Sequence, residues 1–240
     1  MYFDIMKKSA DQLNLTFSRD QYEQFMQYKL LLKQWNEKLN LTAITEDDEI
    51  ISKHFIDSIQ AFQSEELNHA ESLIDVGTGA GFPGLPIKIM KPELKITLLD
   101  SLNKRLNFLR AVSEEMNLEN VEFVHSRAED GARKSEYRDS YDVAVSRAVA
   151  NLTLLTELCL PYVKVGGHFI ALKGPAVEQE IEDAEYAVKV LGGKIIRIQK
   201  VKVEGTDLNH NLVVIRKMKP TPKGYPRSSA AIKKSLISEK

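Results

Sequence analysis

Hydrophobic positions change their spacing near residue 70, and this change divides the chain into two parts. Before it, apolar residues recur at helical spacing over positions 22–39 and again over 51–62. Ser18 begins a stretch with the spacing of a capping box, which typically starts a helix. We therefore predict a helical extension over residues 1–70.

From Ser72 onward, short apolar runs alternate with segments of helical periodicity. Strands are predicted over residues 72–76, 95–100, 121–124, 141–145 and 167–172. Helices are predicted from near Pro83 and over residues 103–116, 151–164 and 176–191. Two last strands, over 193–203 and 211–216, are predicted to form an antiparallel hairpin at one edge. This order predicts a doubly wound α/β domain over residues 71–218, with a mostly parallel, seven-stranded sheet.

Four glycines follow the first predicted strand, in the run Asp75-Val76-Gly77-Thr78-Gly79-Ala80-Gly81-Phe82-Pro83-Gly84. Glycines let the backbone turn tightly and approach a ligand without clashes from Cβ atoms. In an open α/β sheet, a loop after a strand lies at the edge where ligands bind. We therefore predict a cofactor site that includes Gly77, Gly79 and Gly81.

Two cofactors are compatible with this loop. Gly79, Gly81 and Gly84 match the dinucleotide pattern, and Asp100 follows at about the expected distance of 20 residues. Asp75, however, would repel a pyrophosphate and attract the sulfonium and α-amino groups of S-adenosylmethionine. Asp100 can bind ribose hydroxyls in either case. The loop therefore favours S-adenosylmethionine, with a nicotinamide dinucleotide as the alternative.

A second acidic site follows the third predicted strand, in Ser126-Arg127-Ala128-Glu129-Asp130. In a methyltransferase this loop faces the adenine ring, and Glu129 or backbone groups can bind the exocyclic amine. The alternative is a helix N-terminus, where acidic residues are stabilised by the helix dipole.

Composition and charge limit the class of protein. The chain has 240 residues with 43% hydrophobic and 28% charged residues, which is ordinary for a globular protein. Its net charge of −1 gives no general attraction to polyanions, so a nucleic-acid site needs local clustering of basic residues. The single cysteine, Cys159, excludes an intramolecular disulfide and a thiolate metal cluster. Without a signal peptide or a long apolar run, we expect a cytoplasmic monomer with no membrane and no metal.

Several motifs together resemble those of a known family. They are Trp35-Asn36, Asn40-Leu41-Thr42, His54-Phe55-Ile56-Asp57-Ser58, the glycine run from Asp75 to Gly84, Ser126-Arg127-Ala128-Glu129, Ser146-Arg147-Ala148, Leu172-Lys173-Gly174 and Tyr225-Pro226-Arg227. In this order, and over nearly the whole chain, they resemble the bacterial ribosomal small subunit methyltransferase G family, also called glucose-inhibited division protein B.

The resemblance implies a class I, Rossmann-like methyltransferase fold with S-adenosylmethionine as donor. It also implies methylation of N7 of a guanine in small-subunit (16S) ribosomal RNA, either free or within a ribosomal particle. Carried over by motif, the donor site would include Gly77, Phe82, Ala128, Glu129 and Arg147. A nicotinamide-dependent oxidoreductase, a non-catalytic RNA-binding protein and a small-molecule methyltransferase stay as alternatives.

The residues after the fourth strand are compatible with chemistry at guanine N7. The segment Ser146-Arg147-Ala148-Val149-Ala150 lacks the Pro-Pro-aromatic motif of amino-directed nucleic-acid methyltransferases. Methylation at carbon 5 of a pyrimidine needs a thiolate nucleophile. Cys159 lies in an apolar run, which disfavours the charged thiolate. Guanine N7 carries a lone pair and no proton, so its methylation needs no general base. We therefore expect no catalytic acid or base, and catalysis by positioning.

Basic residues at the predicted strand ends are candidates for RNA contacts. Lys104, Arg127, Arg147 and Lys173 lie there, and Arg147 has a second possible role in binding the donor carboxylate. His54 is a weaker candidate, with packing of its helix against the sheet as the alternative. Phe82 is expected either to stack on a base or adenine or to pack in the core.

A basic tail is predicted over residues 219–240. Between Arg216 and Ser238 there are seven basic residues and no acidic one. Such a composition favours an extended segment that lies on phosphates, with Tyr225 and Arg227 contacting RNA. We therefore expect that removal of residues 217–240 weakens RNA binding, reduces the dependence of RNA binding on salt and leaves donor binding intact.

Overall fold

The computed structural model describes residues 1–147, 150–203 and 209–238. The part before the sheet is helical, as predicted. Its elements are α1 (Tyr2–Gln12), α2 (Arg19–Leu39), α3 (Asp47–Glu49), a π-helical stretch (Ile50–Ile56), α4 (Asp57–Ile59), a 3-10 turn (Gln60–Gln63) and α5 (Glu65–Asn68). Ser18 caps α2 with the predicted capping box, because its hydroxyl accepts from the Gln21 amide at 3.1 Å and its own amide donates to the Gln21 side chain at 2.9 Å.

Seven strands form one sheet in the order β3-β2-β1-β4-β5-β7-β6. They are β1 (Ser72–Val76), β2 (Lys95–Asp100), β3 (Val121–His125), β4 (Tyr141–Ser146), β5 (Val163–Lys173), β6 (Gly193–Lys202) and β7 (Asn209–Lys217). Strands β1 to β5 are parallel, and β7 pairs antiparallel with both β5 and β6. The predicted sheet and its edge hairpin are confirmed. The order reverses between β1 and β4, which is where open α/β sheets bind ligands.

The remaining helices flank the sheet. They are α6 (Gly84–Met90), α7 (Asn103–Glu115), α8 (Ala128–Gly131), α9 (Leu152–Cys159) with a 3-10 turn (Leu160–Tyr162), α10 (Glu178–Val190) and α11 (Ser229–Lys234). The prediction of a helix over residues 151–164 is wrong at its end, because β5 already begins at Val163. Pro161 lacks an amide hydrogen and cannot extend the hydrogen bonds of α9.

Two hydrophobic cores cover the two faces of the sheet. The first joins the N-terminal helices to the sheet and α7, with Phe25, Phe55 and Phe108 fully buried in it. The second lies under α9 and α10 and includes Phe169. The N-terminal extension shares the first core with the sheet, and it packs directly against α6, the helix that follows β1.

The C-terminal segment, residues 219–238, docks on the body of the protein. Its Ile237 is buried in the second core, and its backbone carbonyls at Thr221 and Tyr225 accept hydrogen bonds from Arg138 at 2.8 and 2.9 Å. This corrects the expected extended form of the tail, because composition gives no information on long-range contacts. The expected contact of the tail with phosphates stays a prediction. Glu239 and Lys240 lie outside the described residues.

Candidate functional site

The glycine loop between β1 and α6 is held to the carboxyl ends of two strands. Gly77, Gly79 and Gly81 have positive φ angles of 75°, 60° and 97°. The amides of Gly77 and Thr78 both donate to the Leu99 carbonyl, at 2.9 and 3.0 Å, which ties the loop to β2. Such φ values are easily accessible only to glycine, so the local sequence dictates this turn.

Asp75 lies beneath the loop as its anchor. Its carboxylate is fully buried and accepts from the Thr78 hydroxyl at 2.7 Å and from the Gly84 amide at 2.9 Å. Burial raises the pKa of Asp75 to about 6, and these two hydrogen bonds counteract that rise. Asp75 does not line the adjacent cavity, and its predicted attraction for a sulfonium stays a prediction.

A cavity of about 510 Å³ opens beside the loop, at the carboxyl ends of β1, β2 and β4. This volume is within the range of small-molecule and cofactor sites. Four of the predicted donor-site residues line it, namely Gly77, Asp100, Ala128 and Glu129. Its apolar lining comes from Val76, Leu99, Leu154, Leu155, Leu158 and Ile232. The cavity thus combines an apolar surface with two acidic groups and three basic ones, the latter from Arg105, Arg127 and Lys233.

Asp100 is fixed in position at the end of β2. Its carboxylate accepts from the amides of Gly79 and Leu102, at 2.9 and 2.8 Å, and lies 3.3 Å from the Arg105 guanidinium. The side chain is only 2% exposed. Since a carboxylate has about four acceptor positions and these three donors use three of them, Asp100 can accept one further hydrogen bond from a ligand hydroxyl.

Glu129 contacts the C-terminal segment at the rim of the cavity. Its carboxylate accepts a hydrogen bond from the Ser229 hydroxyl, whose oxygen in turn accepts from the Arg127 guanidinium at 3.0 Å. Ser229, Ile232 and Lys233 all line the cavity. These three residues could not be predicted, because no local periodicity indicates where a terminal segment docks.

Gly81 faces the N-terminal helices instead of the cavity. A Cβ atom built on Gly81 would lie 2.5 Å from the Tyr28 hydroxyl and 2.8 Å from the Leu109 side chain. The predicted role of Gly81 in ligand approach is therefore corrected: its side-chain space is filled by α2 and α7.

Phe82 is also directed towards the N-terminal helices. It is 6% exposed, and its ring stacks on His54 at a centroid distance of 4.4 Å and on Tyr28 at 5.4 Å. It does not line the cavity. Of the two expectations for Phe82, packing in the core describes its position.

Arg147 joins the end of β4 to the N-terminal helices. Its guanidinium donates to the Asp57 carboxylate at 2.7 Å and to the Lys53 carbonyl at 3.1 Å, and lies 5.0 Å from the Phe82 ring centroid. Arg147 is not part of the cavity lining, so its predicted contact with the donor carboxylate stays a proposal. The neighbouring Ala148 and Val149 lie outside the described residues.

His54 completes this polar network. Its Nδ1 lies 3.3 Å from the Arg147 guanidinium and its Nε2 lies 2.8 Å from the Thr42 hydroxyl. Burial, followed by the charge of Arg147, lowers the pKa of His54 to about 4. Because Arg147 can only donate, Nδ1 of the neutral ring accepts, which leaves Nε2 to donate to Thr42.

Two predicted RNA-binding residues are engaged within the protein. Lys173 is 5% exposed and donates to the Ala150 carbonyl and the Glu180 carboxylate, both at 2.7 Å. Arg227 forms a bidentate pair with Glu157, at 2.9 and 2.7 Å. These contacts correct the prediction that both side chains are available to phosphates.

The other three candidates for RNA binding differ in exposure. Lys104 and Arg127 are exposed, and Arg127 also lines the cavity. Tyr225 is half-buried and packs against the second core. The structure therefore brings Arg127 to the cavity and leaves Lys104 accessible at the start of α7.

The described residues show neither a membrane-spanning helix nor a metal-binding cluster. No helix in residues 1–147, 150–203 and 209–238 is long and apolar enough to cross a membrane. Within the same residues, there is no cluster of three or more histidine, cysteine or acidic side chains arranged to hold a metal ion.

Comparison with known sequences gives a consistent result. Residues 21–212 match a family model, GidB, described as rRNA small subunit methyltransferase G. The chain is 59% identical, over 98% of its length and 99% of the relative, to a ribosomal RNA small subunit methyltransferase G of Clostridium perfringens. It is 58% identical, with the same coverage, to the protein of that name from Clostridium beijerinckii.

Solved structures are similar in fold at low sequence identity. M. jannaschii TYW2 in complex with AdoMet matches with a TM-score of 0.53 and 18% identity, over 72% of this chain and 77% of that one. A putative methyltransferase in complex with the Haloferax volcanii Trm112 activator matches with a TM-score of 0.54 and 15% identity, over 78% of this chain and 98% of that one. These matches establish the class I methyltransferase fold.

Proposed function

The chain belongs to the rRNA small subunit methyltransferase G family, and on this premise we propose that it methylates N7 of a guanine in small-subunit ribosomal RNA. The methyl donor is S-adenosylmethionine. The observation that carries the proposal is the cavity beside the glycine loop, where Gly77, Asp100 and Glu129 meet an apolar wall. That combination suits an adenosine group, which has hydroxyls, an exocyclic amine and an apolar ring.

Each part of the cavity has a chemical counterpart in the donor. Asp100, already fixed by two backbone amides, would accept from a ribose hydroxyl. Glu129 would accept from the adenine amine, and the leucines of α9 would cover the ring. Because Gly77 has no side chain, the backbone of the loop can approach the rest of the donor closely.

The loop anchor disfavours a nicotinamide dinucleotide. A pyrophosphate in such enzymes binds to the free amides at the N-terminus of the helix after the loop. Here the Gly84 amide, at the start of α6, already donates to the Asp75 carboxylate at 2.9 Å. The Gly84 amide is therefore not free to donate to a pyrophosphate.

Cys159 supports the choice of N7 over carbon-5 chemistry. It is the only cysteine of the chain and is fully buried. Burial raises the pKa of its thiol, so a nucleophilic thiolate is not formed at neutral pH. Methylation of N7 needs neither a thiolate nor a base, and positioning of the guanine against the donor methyl group is sufficient.

We further propose that the partner is small-subunit ribosomal RNA, free or in a ribosomal particle, and that the protein acts as a monomer in the cytoplasm. The RNA would approach the cavity from the side of Lys104 and Arg127, which are exposed near the carboxyl ends of β2 and β3. Their charges can pair with phosphates.

The experiment is to incubate the purified chain with small-subunit ribosomal RNA and S-adenosylmethionine carrying a radiolabelled methyl group. Borohydride reduction followed by aniline cleaves RNA at N7-methylguanosine and so maps the modified position. We expect one labelled guanine at which cleavage occurs, and none with the Asp100→Ala variant. Label on another atom, or on a small molecule only, would overturn the proposed substrate.

A further inference from the structure

We propose that the C-terminal segment supplies one wall of the donor cavity, and that donor binding depends on it. The proposal rests on the assignment of the cavity as the donor site. Its subject is α11, whose Ser229, Ile232 and Lys233 line the cavity although they follow the last strand of the sheet.

The C-terminal segment is firmly attached to the body of the protein on both sides of α11. Arg227 pairs with Glu157, whose side chain is 1% exposed, directly before α11. Arg133 donates to the Pro226 carbonyl at 2.8 Å, and Ile237 is buried after α11. The segment is thus fixed on both sides of the three residues at the cavity, so that its position there is determined by the fold.

The wall that α11 supplies adds apolar surface to the cavity. Ile232 adds an apolar group to a cavity that Leu154, Leu155 and Leu158 of α9 also line. An adenine ring is apolar on both faces, and removal of both faces from water favours binding. Without α11, the cavity would lose Ile232 and lie open to solvent on this side.

Ser229 acts as a positioning residue through Glu129. Its hydroxyl donates to the Glu129 carboxylate and accepts from Arg127 at 3.0 Å. This chain of hydrogen bonds fixes the carboxylate that is proposed to accept from the adenine amine. A carboxylate held in place loses less conformational entropy when the ligand binds, which favours affinity.

A matched pair of variants tests the wall. Ile232→Asp introduces a charge at the cavity, whereas Leu236→Asp makes the same change two residues after α11, at a side chain that is 39% exposed and does not line the cavity. Titration calorimetry with S-adenosylhomocysteine is expected to show binding at least about tenfold weaker for Ile232→Asp and changed by less than about twofold for Leu236→Asp. Equal affinities for the two variants would overturn the inference.

A second pair covers the possibility that Ile232→Asp does not fold. Ser229→Ala removes the hydrogen bonds to Glu129 and Arg127, and Ser229→Thr retains the hydroxyl. We expect Ser229→Ala to reduce the preference for S-adenosylhomocysteine over its inosine analogue, which lacks the exocyclic amine, and Ser229→Thr to restore it. An unchanged preference in Ser229→Ala would contradict the positioning role.

The native chain and Asp100→Ala separate this inference from the proposed function. Absence of S-adenosylhomocysteine binding by the native chain would overturn the donor itself. Binding that is unaffected by Asp100→Ala would overturn the location of the donor site. If both controls give the expected results and the Ile232→Asp and Leu236→Asp variants still bind equally, only the role of the C-terminal segment is wrong.

Discussion

Gly77 and Gly81 lie in the same loop and both have positive φ angles, but their surroundings differ. A Cβ atom on Gly77 would meet no atom within 4 Å, whereas one on Gly81 would overlap Tyr28, Leu109 and Leu85. Position 77 therefore requires glycine because of its backbone conformation beside the open cavity. Position 81 requires glycine because a side chain there would collide with the N-terminal helices. Both requirements are present in one short motif.

Alanine substitutions should distinguish the two glycines. Gly81→Ala is expected to lower the free energy of unfolding by at least about 2 kcal/mol, because an overpacked side chain adds to the backbone strain. Gly77→Ala is expected to cost about 1 kcal/mol, from backbone strain alone, and also to weaken donor binding at the cavity it lines. Urea denaturation and titration calorimetry measure the two effects. Equal losses of stability in both variants would contradict this account.

At the scale of elements, the sequence predicts well what depends on local pattern. The strands over 72–76 and 95–100 have their predicted bounds, because short apolar runs between turn residues determine buried strands. The loop after β1 was also predictable, since glycines at fixed spacing have a local conformational cause. Contacts between distant segments have no such periodicity. For this reason Asp75 as an anchor, Arg147 in a network with His54, and α11 at the cavity could not be predicted.

Arg227 illustrates how an element's role depends on its partner. Composition made it a candidate for binding RNA, and the structure pairs it with the buried Glu157. We expect Arg227→Ala to lower the free energy of unfolding by about 2–3 kcal/mol, because it removes the charged partner of a buried carboxylate and leaves only the backbone amide of residue 227 as its donor. Lys223→Ala, at an exposed position of the same segment, should change it by less than about 0.5 kcal/mol. Chemical denaturation measures both.

Measuring the RNA affinity of the same variants tests the alternative, in which Arg227 contacts RNA. If Arg227 instead contacted phosphate, its replacement would reduce the dependence of RNA affinity on salt and leave the stability of the protein nearly unchanged. That result would contradict the assignment of Arg227 to the attachment of the C-terminal segment.

At the scale of the whole molecule, the position of charge matters more than its total. The net charge is −1, and two of the basic residues near the C-terminus, Lys217 and Arg227, are bonded within the protein. Lys217 is fully buried and donates to Asp139 at 2.9 Å. We therefore expect binding of a polyanion to depend on exposed basic residues, among them Lys104 and Arg127.

Replacing Lys104 or Lys194 by alanine changes the net charge of the protein equally but at different places. Both are exposed, but Lys104 follows β2 at its carboxyl end, whereas Lys194 pairs with Arg216 near the opposite end of the sheet. Lys104→Ala is expected to weaken RNA binding and to reduce the slope of log affinity against log salt by about 0.7–0.9, the contribution of one phosphate contact. Lys194→Ala should leave the slope unchanged. Filter-binding titrations at several salt concentrations measure both slopes. Equal changes in the two variants would mean that RNA affinity depends on the total charge of the protein and not on basic residues at the edge of the sheet proposed to hold the donor site.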